Sequence, residues 1–271
     1  MCCAPNFHNL FQLCILKGIL LTNTIRVLVP IDSHDKNALQ TALAYAKKIC
    51  EQENFSDVVL LTHTKNQLTQ TSLSGFLGKA VVQTLAKGTA SLSGGINLHA
   101  ETMRTMSQSA RKSVVLVYYA EQSILDFVDG LHNIGGVVVV PEFEGEADDW
   151  SQRWGVVVHG EKRREPATLI EDQTVVKALA TLTQIVNLST GLGNPRDKEH
   201  ANTVLRILRA KGHADPSPHI KSWAIQHGWR PKDGLALEAL SRKIWNLKSK
   251  PSLSGFYNVE ERYQSWRDDG G

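Results

Sequence analysis

The chain has 271 residues, a length that suits two domains better than one, since domains usually hold about 100 to 150 residues. Its composition, 42% hydrophobic and 21% charged, is typical of a globular protein and excludes a disordered or fibrous chain. The net charge of +3 is too small to identify a partner. Charge is unevenly distributed, however: residues 142–171 carry eight acidic and four basic side chains, whereas residues 196–251 carry twelve basic and five acidic ones.

Residues 1–24 are predicted to be an N-terminal extension, and the sequence does not decide whether they belong to the natural protein. Their apolar run, Leu10–Leu21, is interrupted by Gln12 and Lys17. It is shorter than the roughly 20 apolar residues that span a bilayer. The positive flank and cleavage site of a signal peptide are also missing. These features predict no membrane partner.

The cysteines are Cys2, Cys3, Cys14 and Cys50, which include no C-x-x-C pair. Neither a disulfide framework nor a metal site is indicated by this spacing. The sequence therefore predicts a reducing, cytoplasmic location and no bound metal.

The stretch 113–141 has the pattern of a strand, a helix and a second strand. Val114–Tyr119 and Val137–Val140 are apolar at consecutive positions, as in strands buried on both faces of a parallel sheet. Between them, Ile124–Leu131 has helical spacing, and Gly135-Gly136 is predicted to end that helix. This βαβ unit predicts the α/β fold class, with a Rossmann-like, largely parallel sheet.

The preceding segment begins the same domain. Ile25–Ile31 is predicted to be a strand, Lys36–Cys50 a helix capped by Asp35, and Asp57–Thr62 the next strand. The segment 64–95 is rich in glycine, serine and threonine, which is typical of loops. One helix at Leu73–Leu85 fits within it.

Three further elements complete this domain. Ile96–Met103 alternates like an edge or half-buried strand. The acidic stretch Glu142–Asp149 lacks the spacing of a calcium loop and is predicted to be a solvated loop. Gly155–His159 is predicted to be the last strand.

Charged residues followed by Pro166 indicate a boundary between an α/β domain at 25–165 and an all-helical domain at 166–271. The helices are predicted to begin at Asp172, Asn194-Pro195, Ser217-Pro218 and about Asp233, and a short terminal helix is expected around Trp266. All six tryptophans lie from Trp150 onward, which favours a separate core. Thr190–Asn194 could hold an anion through backbone N–H groups, but an interhelical linker is favoured because no basic partner accompanies it.

Ligands of parallel α/β sheets bind beyond the carboxyl ends of the strands, so the residues that follow each strand are candidates for a site. The candidate ligand-binding residues are Asp32, Ser33, His34, His63, Glu121 and Glu142. Histidines and carboxylates converging there could serve acid–base chemistry, with Asp32, His34 and His63 within about 10 Å of one another. The alternative is that these side chains only cap and solvate strand ends.

The segments Val27–Asp32, Ala38–Lys47 and Val58–His63 resemble the opening strand, helix and strand of the universal stress protein family. The resemblance implies that Asp32 lies beside an adenine nucleotide, which makes a nucleotide one candidate ligand. The family's glycine-rich phosphate-binding stretch has no counterpart before Val137.

The segment His219–Trp229 resembles the tight turn of a helix-turn-helix unit, with Ala224 four residues before Gly228. Basic side chains on the following helix would then contact phosphates. These candidate nucleic-acid residues are Lys232, Arg242, Lys243, Lys248 and Lys250. The alternative is a small helical bundle with Trp223 and Trp229 in its core and a solvated basic face.

No nucleotide-binding, hydrolase or zinc-protease motif is present in the sequence. We therefore expect a ligand-sensing or regulatory protein that binds a small molecule at the strand ends and a protein partner through its helices. The alternatives are a hydrolase or nucleotide-processing enzyme that uses Asp32, His34 and His63, and nucleic-acid binding by the helical domain.

Overall fold

The computed structural model describes residues 24–107, 112–161 and 163–267. Of the predicted N-terminal extension, only Thr24 lies within these residues; Cys2, Cys3 and Cys14 lie outside them. The described residues form a seven-stranded, mostly parallel sheet with helices, followed by a helical region. This confirms the predicted fold class, α/β with a Rossmann-like sheet and C-terminal helices. We call residues 24–165 the α/β region and residues 166–267 the helical region.

Strand bounds follow the apolar runs of the sequence. The strands are β1 (Ile25–Leu28), β2 (Asp57–Thr62), β3 (Thr89–Leu92), β4 (Ile96–Thr102), β5 (Ser113–Ala120), β6 (Ile134–Pro141) and β7 (Val157–Val158). The helices of the α/β region are α1 (Lys36–Glu53), α2 (Lys65–Gln70), α3 (Ser72–Leu77), α4 (Lys79–Lys87), α5 (Gln122–Asp129) and α6 (Asp148–Trp154). Those of the helical region are α7 (Gln173–Ile185), α8 (Pro195–Lys211), α9 (Ser217–Gln226), α10 (Pro231–Trp245) and α11 (Val259–Arg267).

The strand order is β3-β4-β2-β5-β6-β1-β7, and only the β3–β4 pair is antiparallel. The centre of the sheet is β5, in which every residue is buried. Full burial of a valine or leucine side chain stabilises a fold by about 1.5–3 kcal/mol, so this strand anchors the core. One core cluster lies between the sheet and α1, and another between the opposite face and α5 and α6.

The helix in the central βαβ unit ends earlier than predicted. Gly130 caps α5, whereas Gly135 and Gly136 lie inside β6. A Cβ on Gly135 would lie 1.6 Å from a carbon of the Phe55 ring, so the absent side chain makes room for that ring against the strand. The two glycines therefore serve close packing rather than helix termination.

Several predicted bounds are wrong at the sheet margins. The strand predicted at Ile25–Ile31 ends at Leu28, close to Pro30, which has no N–H to pair. The strand predicted at Gly155–His159 is reduced to Val157–Val158. The strand predicted at Ile96–Met103 is confirmed as β4, but it does not form the edge, because β3 pairs outside it.

Helix predictions also need correction. The single helix expected at Leu73–Leu85 is divided into α3 and α4 at Gly78, whose φ is +84°. The acidic stretch predicted as a loop instead leads into α6 from Asp148. The helix expected from about Asp233 to Leu247 begins at Pro231 and ends at Trp245.

The predicted helix caps are confirmed. Asp35, Asp172 and Asn194 each accept a hydrogen bond from a backbone N–H in the first turn of the helix that follows. Such caps satisfy N–H groups that have no partner within the helix.

The core of the helical region contains residues from Ile170 to Trp266. Trp223 and Trp229 are buried in it, as the bundle interpretation predicts. Gly228 takes a left-handed conformation between α9 and α10, with a φ of +86°. The division into two domains at 165/166 stays a prediction.

Candidate ligand-binding site

A cleft of about 700 Å³ opens at the carboxyl ends of β1, β6 and β7. We call it the rim cleft. Its apolar floor includes Leu28, Pro141 and Val158, which are the last residues of these strands. Its ionisable lining residues are Asp32, His34, Glu142, Glu144, Asp148, Glu161 and Arg164. The cleft therefore occupies the position where open parallel sheets bind ligands.

A tight turn after β1 positions Asp32 and His34. The Asp32 carboxylate accepts a hydrogen bond from the backbone N–H of His34 at 2.8 Å and lies 3.2 Å from the His34 Nδ1 atom. The backbone N–H and then the imidazole of His34 lower the pKa of Asp32 below its usual value. Asp32 is thus held as a carboxylate at the mouth of the cleft.

Ser33 does not line the cleft, because its side chain is fully buried. Its carbonyl accepts a hydrogen bond from the Tyr118 hydroxyl at 2.8 Å, which fixes the turn on β5. Its hydroxyl lies 3.4 Å from the His34 Nδ1 atom, the same nitrogen that faces Asp32. A catalytic triad needs the nucleophile and the carboxylate on opposite ring nitrogens, so these residues are not arranged as one.

The outer wall of the cleft is acidic. Glu142 and Glu144 follow β6, and Asp148 begins α6. Phe143, between the two glutamates, is 64% exposed. Among the described lining residues, only Arg164 has a guanidinium, and it already pairs with Glu161 at 2.9 Å.

His63 and Glu121 lie on another part of the rim. They follow β2 and β5, and β6 and β5 separate β1 from β2. With strands about 4.8 Å apart, the ends of β1 and β2 are about 14 Å apart. The His63 Nε2 atom lies 3.4 Å from the Glu121 carboxylate. The six predicted ligand residues are therefore distributed: Asp32, His34 and Glu142 line the cleft, and Ser33, His63 and Glu121 do not.

Tyr119 lies between the two parts of the rim. It has a φ of +59° at an irregularity in the β5–β6 pairing, a left-handed conformation that is costly for a tyrosine. Its hydroxyl donates to the Thr71 Oγ1 atom at 3.0 Å, and its ring lies 6.0 Å from that of His34. The bulge directs Tyr118 and Tyr119 into the same core cluster, whereas consecutive residues of a regular strand face opposite sides.

Sequence reasoning missed a buried polar cluster at the junction of the two regions. The Asp129 carboxylate at the end of α5 accepts hydrogen bonds from the indoles of Trp150 and Trp154, at 3.1 and 2.9 Å. It also pairs with Arg153 at 2.5 Å, and both side chains of this ion pair are only 1% exposed. The signal was present in the sequence, because Trp150, Arg153 and Trp154 have the spacing of one helical face.

Arg26 on β1 extends this cluster. Its guanidinium lies over the Trp154 ring, 3.8 Å from the ring centroid. Burial lowers the pKa of Arg26 to about 10, and the charge of Asp129 opposes that shift. The guanidinium therefore remains protonated at neutral pH.

The five basic residues predicted to bind nucleic acid are all exposed. Lys232 and Lys243 are eleven residues apart on α10, which places them on one face about 16 Å apart. Between them, the exposed residues are Leu235, Ala236 and Ala239, and Arg242 pairs with Glu238 at 2.8 Å. Lys248 and Lys250 follow the helix. The basic face is therefore interrupted by an apolar patch.

The Thr190–Asn194 linker places Gly191 against the Asp233 carboxylate of α10. A Cβ on Gly191 would lie 2.1 Å from the carboxyl carbon of Asp233. Burial raises the pKa of Asp233, although Lys232 and Arg230 oppose the shift. The Asp233 carboxylate thus occupies the space beside the turn, where it would repel an anion. This favours the interhelical linker over an anion site.

Across the described residues, no group of three or more histidine, cysteine, aspartate or glutamate side chains is arranged to hold a metal ion. Nor does any helix within 24–107, 112–161 or 163–267 have the length and apolar character needed to cross a membrane.

A comparison with protein families finds that residues 171–267 match a domain of unknown function, DUF1889. The match covers α7 to α11 and leaves the α/β region and the rim cleft outside it. The resemblance to universal stress proteins at 27–63 therefore stays a prediction. No curated protein and no solved structure matches the chain.

Proposed function

We propose that the protein is a ligand-sensing or regulatory module that binds a small organic cation in the rim cleft and contacts a protein partner through its helical region. The observation that carries this proposal is the charge of the lining. Among the described lining residues, five carboxylates face one guanidinium, which is itself paired with Glu161. A cleft lined by one sign of charge concentrates ligands of the opposite sign.

The exposed Phe143 ring supports the same class of ligand. A cation over an aromatic face gains about 0.5–1 kcal/mol at an exposed site and more when desolvated. Conversely, the carboxylates would repel the phosphates of a nucleotide, the ligand that the resemblance to universal stress proteins implies. The lining therefore favours an amine over a nucleotide.

Calorimetric titration of the full chain with 1,4-diaminobutane and, separately, with ATP tests this proposal. We expect the diamine to bind, with an affinity that falls as salt rises. The double variant Glu144→Gln/Asp148→Asn should weaken binding at least about tenfold. The control Glu171→Gln, an exposed substitution outside the cleft, should bind as the wild type does. Binding of ATP without binding of the diamine would contradict the proposal.

A second candidate is an enzyme that uses Asp32 and His34. The 3.2 Å contact between them is the arrangement in which a carboxylate orients an imidazole for proton transfer. His63, the third predicted participant, does not line the cleft with them. Assays of ester, phosphoester and nucleotide hydrolysis distinguish the candidates: turnover that Asp32→Ala abolishes favours the enzyme, whereas loss of binding without any turnover favours the sensor.

A third candidate, nucleic-acid binding, is supported by the exposure of Lys232, Arg242, Lys243, Lys248 and Lys250. Phosphate contacts by these residues would make duplex binding fall steeply with salt. The variant Arg242→Glu/Lys243→Glu should then weaken binding to all sequences alike. Binding that does not respond to this variant would remove the candidate.

A further inference from the structure

The helix α6 reaches from the rim cleft to the helical region. Ala147, which precedes it, and Asp148, its first residue, line the cleft. At its other end, Arg153 contacts α9: its guanidinium donates to the Ser222 hydroxyl at 3.0 Å, and its carbonyl accepts a hydrogen bond from the Gln226 side chain. With seven residues, the helix is about 10 Å long.

The C-terminal half of α6 is locked to α5. Because the Asp129 carboxylate is held by Trp150, Arg153 and Trp154 together, a shift of α6 alone would strip donors from a buried carboxylate. Leaving a buried charge unpaired is strongly destabilising. The helix therefore has to move as a unit with α5, rather than bend in place.

The contact with α9 is extensive enough to transmit such a shift. Lys221 pairs with Asp126 of α5 at 2.6 Å, and Asp126 also lies 4.0 Å from Arg153. Ile225 of α9 is buried in the core cluster on the α5–α6 face of the sheet. This face of α9 thus packs against α5 and α6, the two helices that Asp129 joins.

The chain that links the two regions also bonds to α6. The Ala167 N–H donates to the carbonyl of Gln152 in α6 at 2.9 Å, and the Arg164 N–H donates at 3.2 Å to the carbonyl of Val156, two residues after the helix. Arg164 lines the cleft with Glu161, so the linker touches both the cleft and α6.

We propose that α6 couples occupancy of the rim cleft to the docking of α9, so that ligand binding changes how firmly the helical region is held against α6. This rests on the proposed function, in that a ligand occupies the cleft. Glu142, Glu144 and Asp148 all line the cleft, so a bound cation is attracted both to the loop 142–147 and to the first residue of α6. The bound cation therefore stabilises the position of α6, and with it the contacts that Arg153 makes with Ser222 and Gln226 of α9.

Hydrogen exchange of the full chain, with and without 1,4-diaminobutane, tests the coupling. In the wild type, the diamine should slow exchange both in 142–147 and in α9. In the variant Lys221→Ala/Gln226→Ala, the slowing should persist in 142–147 and disappear from α9. By reciprocity of coupled sites, this variant should also weaken diamine binding, by roughly fivefold. The control Lys198→Ala, an exposed lysine of α8, should behave as the wild type does.

Slowing confined to 142–147 in the wild type would overturn the coupling while leaving the proposed function intact. If the diamine does not bind, the proposed function fails, and the ligand-free proteins decide the coupling. Faster exchange in 142–147 of the Lys221→Ala/Gln226→Ala variant than of Lys198→Ala would then support the coupling, and equal exchange would overturn it.

Discussion

The α/β region and the helical region differ in where their polar side chains lie. In the α/β region, Asp32, Glu142 and Glu144 gather at the strand ends around an open cleft. In the helical region, the polar groups join helices to one another: His213 lies 2.6 Å from Asp172 and 3.1 Å from the Tyr263 hydroxyl. The first region thus leaves polar side chains exposed around a cleft, whereas the second uses them to join its own helices.

The largest effect is expected where the two regions meet. Asp129→Ala leaves Arg153 buried without its partner and removes the acceptor of two indoles. We expect the free energy of unfolding to fall by about 3–5 kcal/mol or more, measured by urea denaturation. The control Asp149→Ala, at an exposed position of α6, should change it by less than about 0.5 kcal/mol. Equal effects would mean that the cluster does not hold the regions together.

Trp223→Ala tests the core of the helical region. Trp223 is 4% exposed and stacks on the His227 ring at 3.8 Å. The cavity left by the substitution should cost about 3–5 kcal/mol, again measured by urea denaturation. Lys243→Glu, on the exposed face, should leave the melting temperature nearly unchanged. If Trp223→Ala left the stability unchanged while Lys243→Glu lowered it, the assignment of Trp223 to the core and of Lys243 to the surface would be wrong.

Two glycines of one turn provide a smaller and more local test. Gly191 has a φ of +54° and lies against Asp233, so Gly191→Ala should cost about 1–3 kcal/mol. Gly193 has no neighbouring atom within 4 Å of an added Cβ. Gly193→Ala should therefore be neutral or stabilise by up to about 1 kcal/mol. Thermal melts of both variants measure the difference, and similar losses would show that the linker is not packed on α10.

The smallest effect is expected from pH. Burial raises the pKa of Asp172, but hydrogen bonds from His213 and from the backbone N–H groups of Val175 and Thr174 outweigh it and lower the pKa overall. A folded-state pKa below the unfolded value stabilises the protein above about pH 3.8, and this stability is lost as pH falls through the lowered value. The melting-temperature gap between the wild type and Asp172→Asn should thus be present above about pH 3.8 and narrow as the pH falls below that value. A gap that widens as the pH falls below about 3.8 would contradict this assignment.

Local structure was predictable where one segment determines it. The strand Asp57–Thr62 was predicted to the residue, because its consecutive apolar side chains require burial on both faces. The caps Asp35, Asp172 and Asn194 were predicted because they satisfy N–H groups of their own helices. The short strand β3 was missed, because its four residues, Thr89–Leu92, carry little apolar pattern among glycines and serines.

The arrangement of the site was not predictable from local pattern. The hypothesis that Asp32, His34 and His63 share one site assumed that the ends of β1 and β2 lie together. Strand order depends on which helix packs on which face, and no residue near Asp32 or His63 encodes the insertion of β5 and β6 between them. The bulge at Tyr119 is likewise invisible, since its Tyr-Tyr-Ala sequence is compatible with a regular strand.

The two margins of the sheet limit how another protein can attach to it. The outermost strands are β3, with four residues, and β7, with two. Short edge strands present few unpaired N–H and C=O groups, so they are poor templates for an added strand from another chain. Among the described residues, a partner would therefore gain little by extending the sheet. This protects the apolar β-structure from edge-to-edge aggregation and leaves helix surfaces as the more effective sites for association.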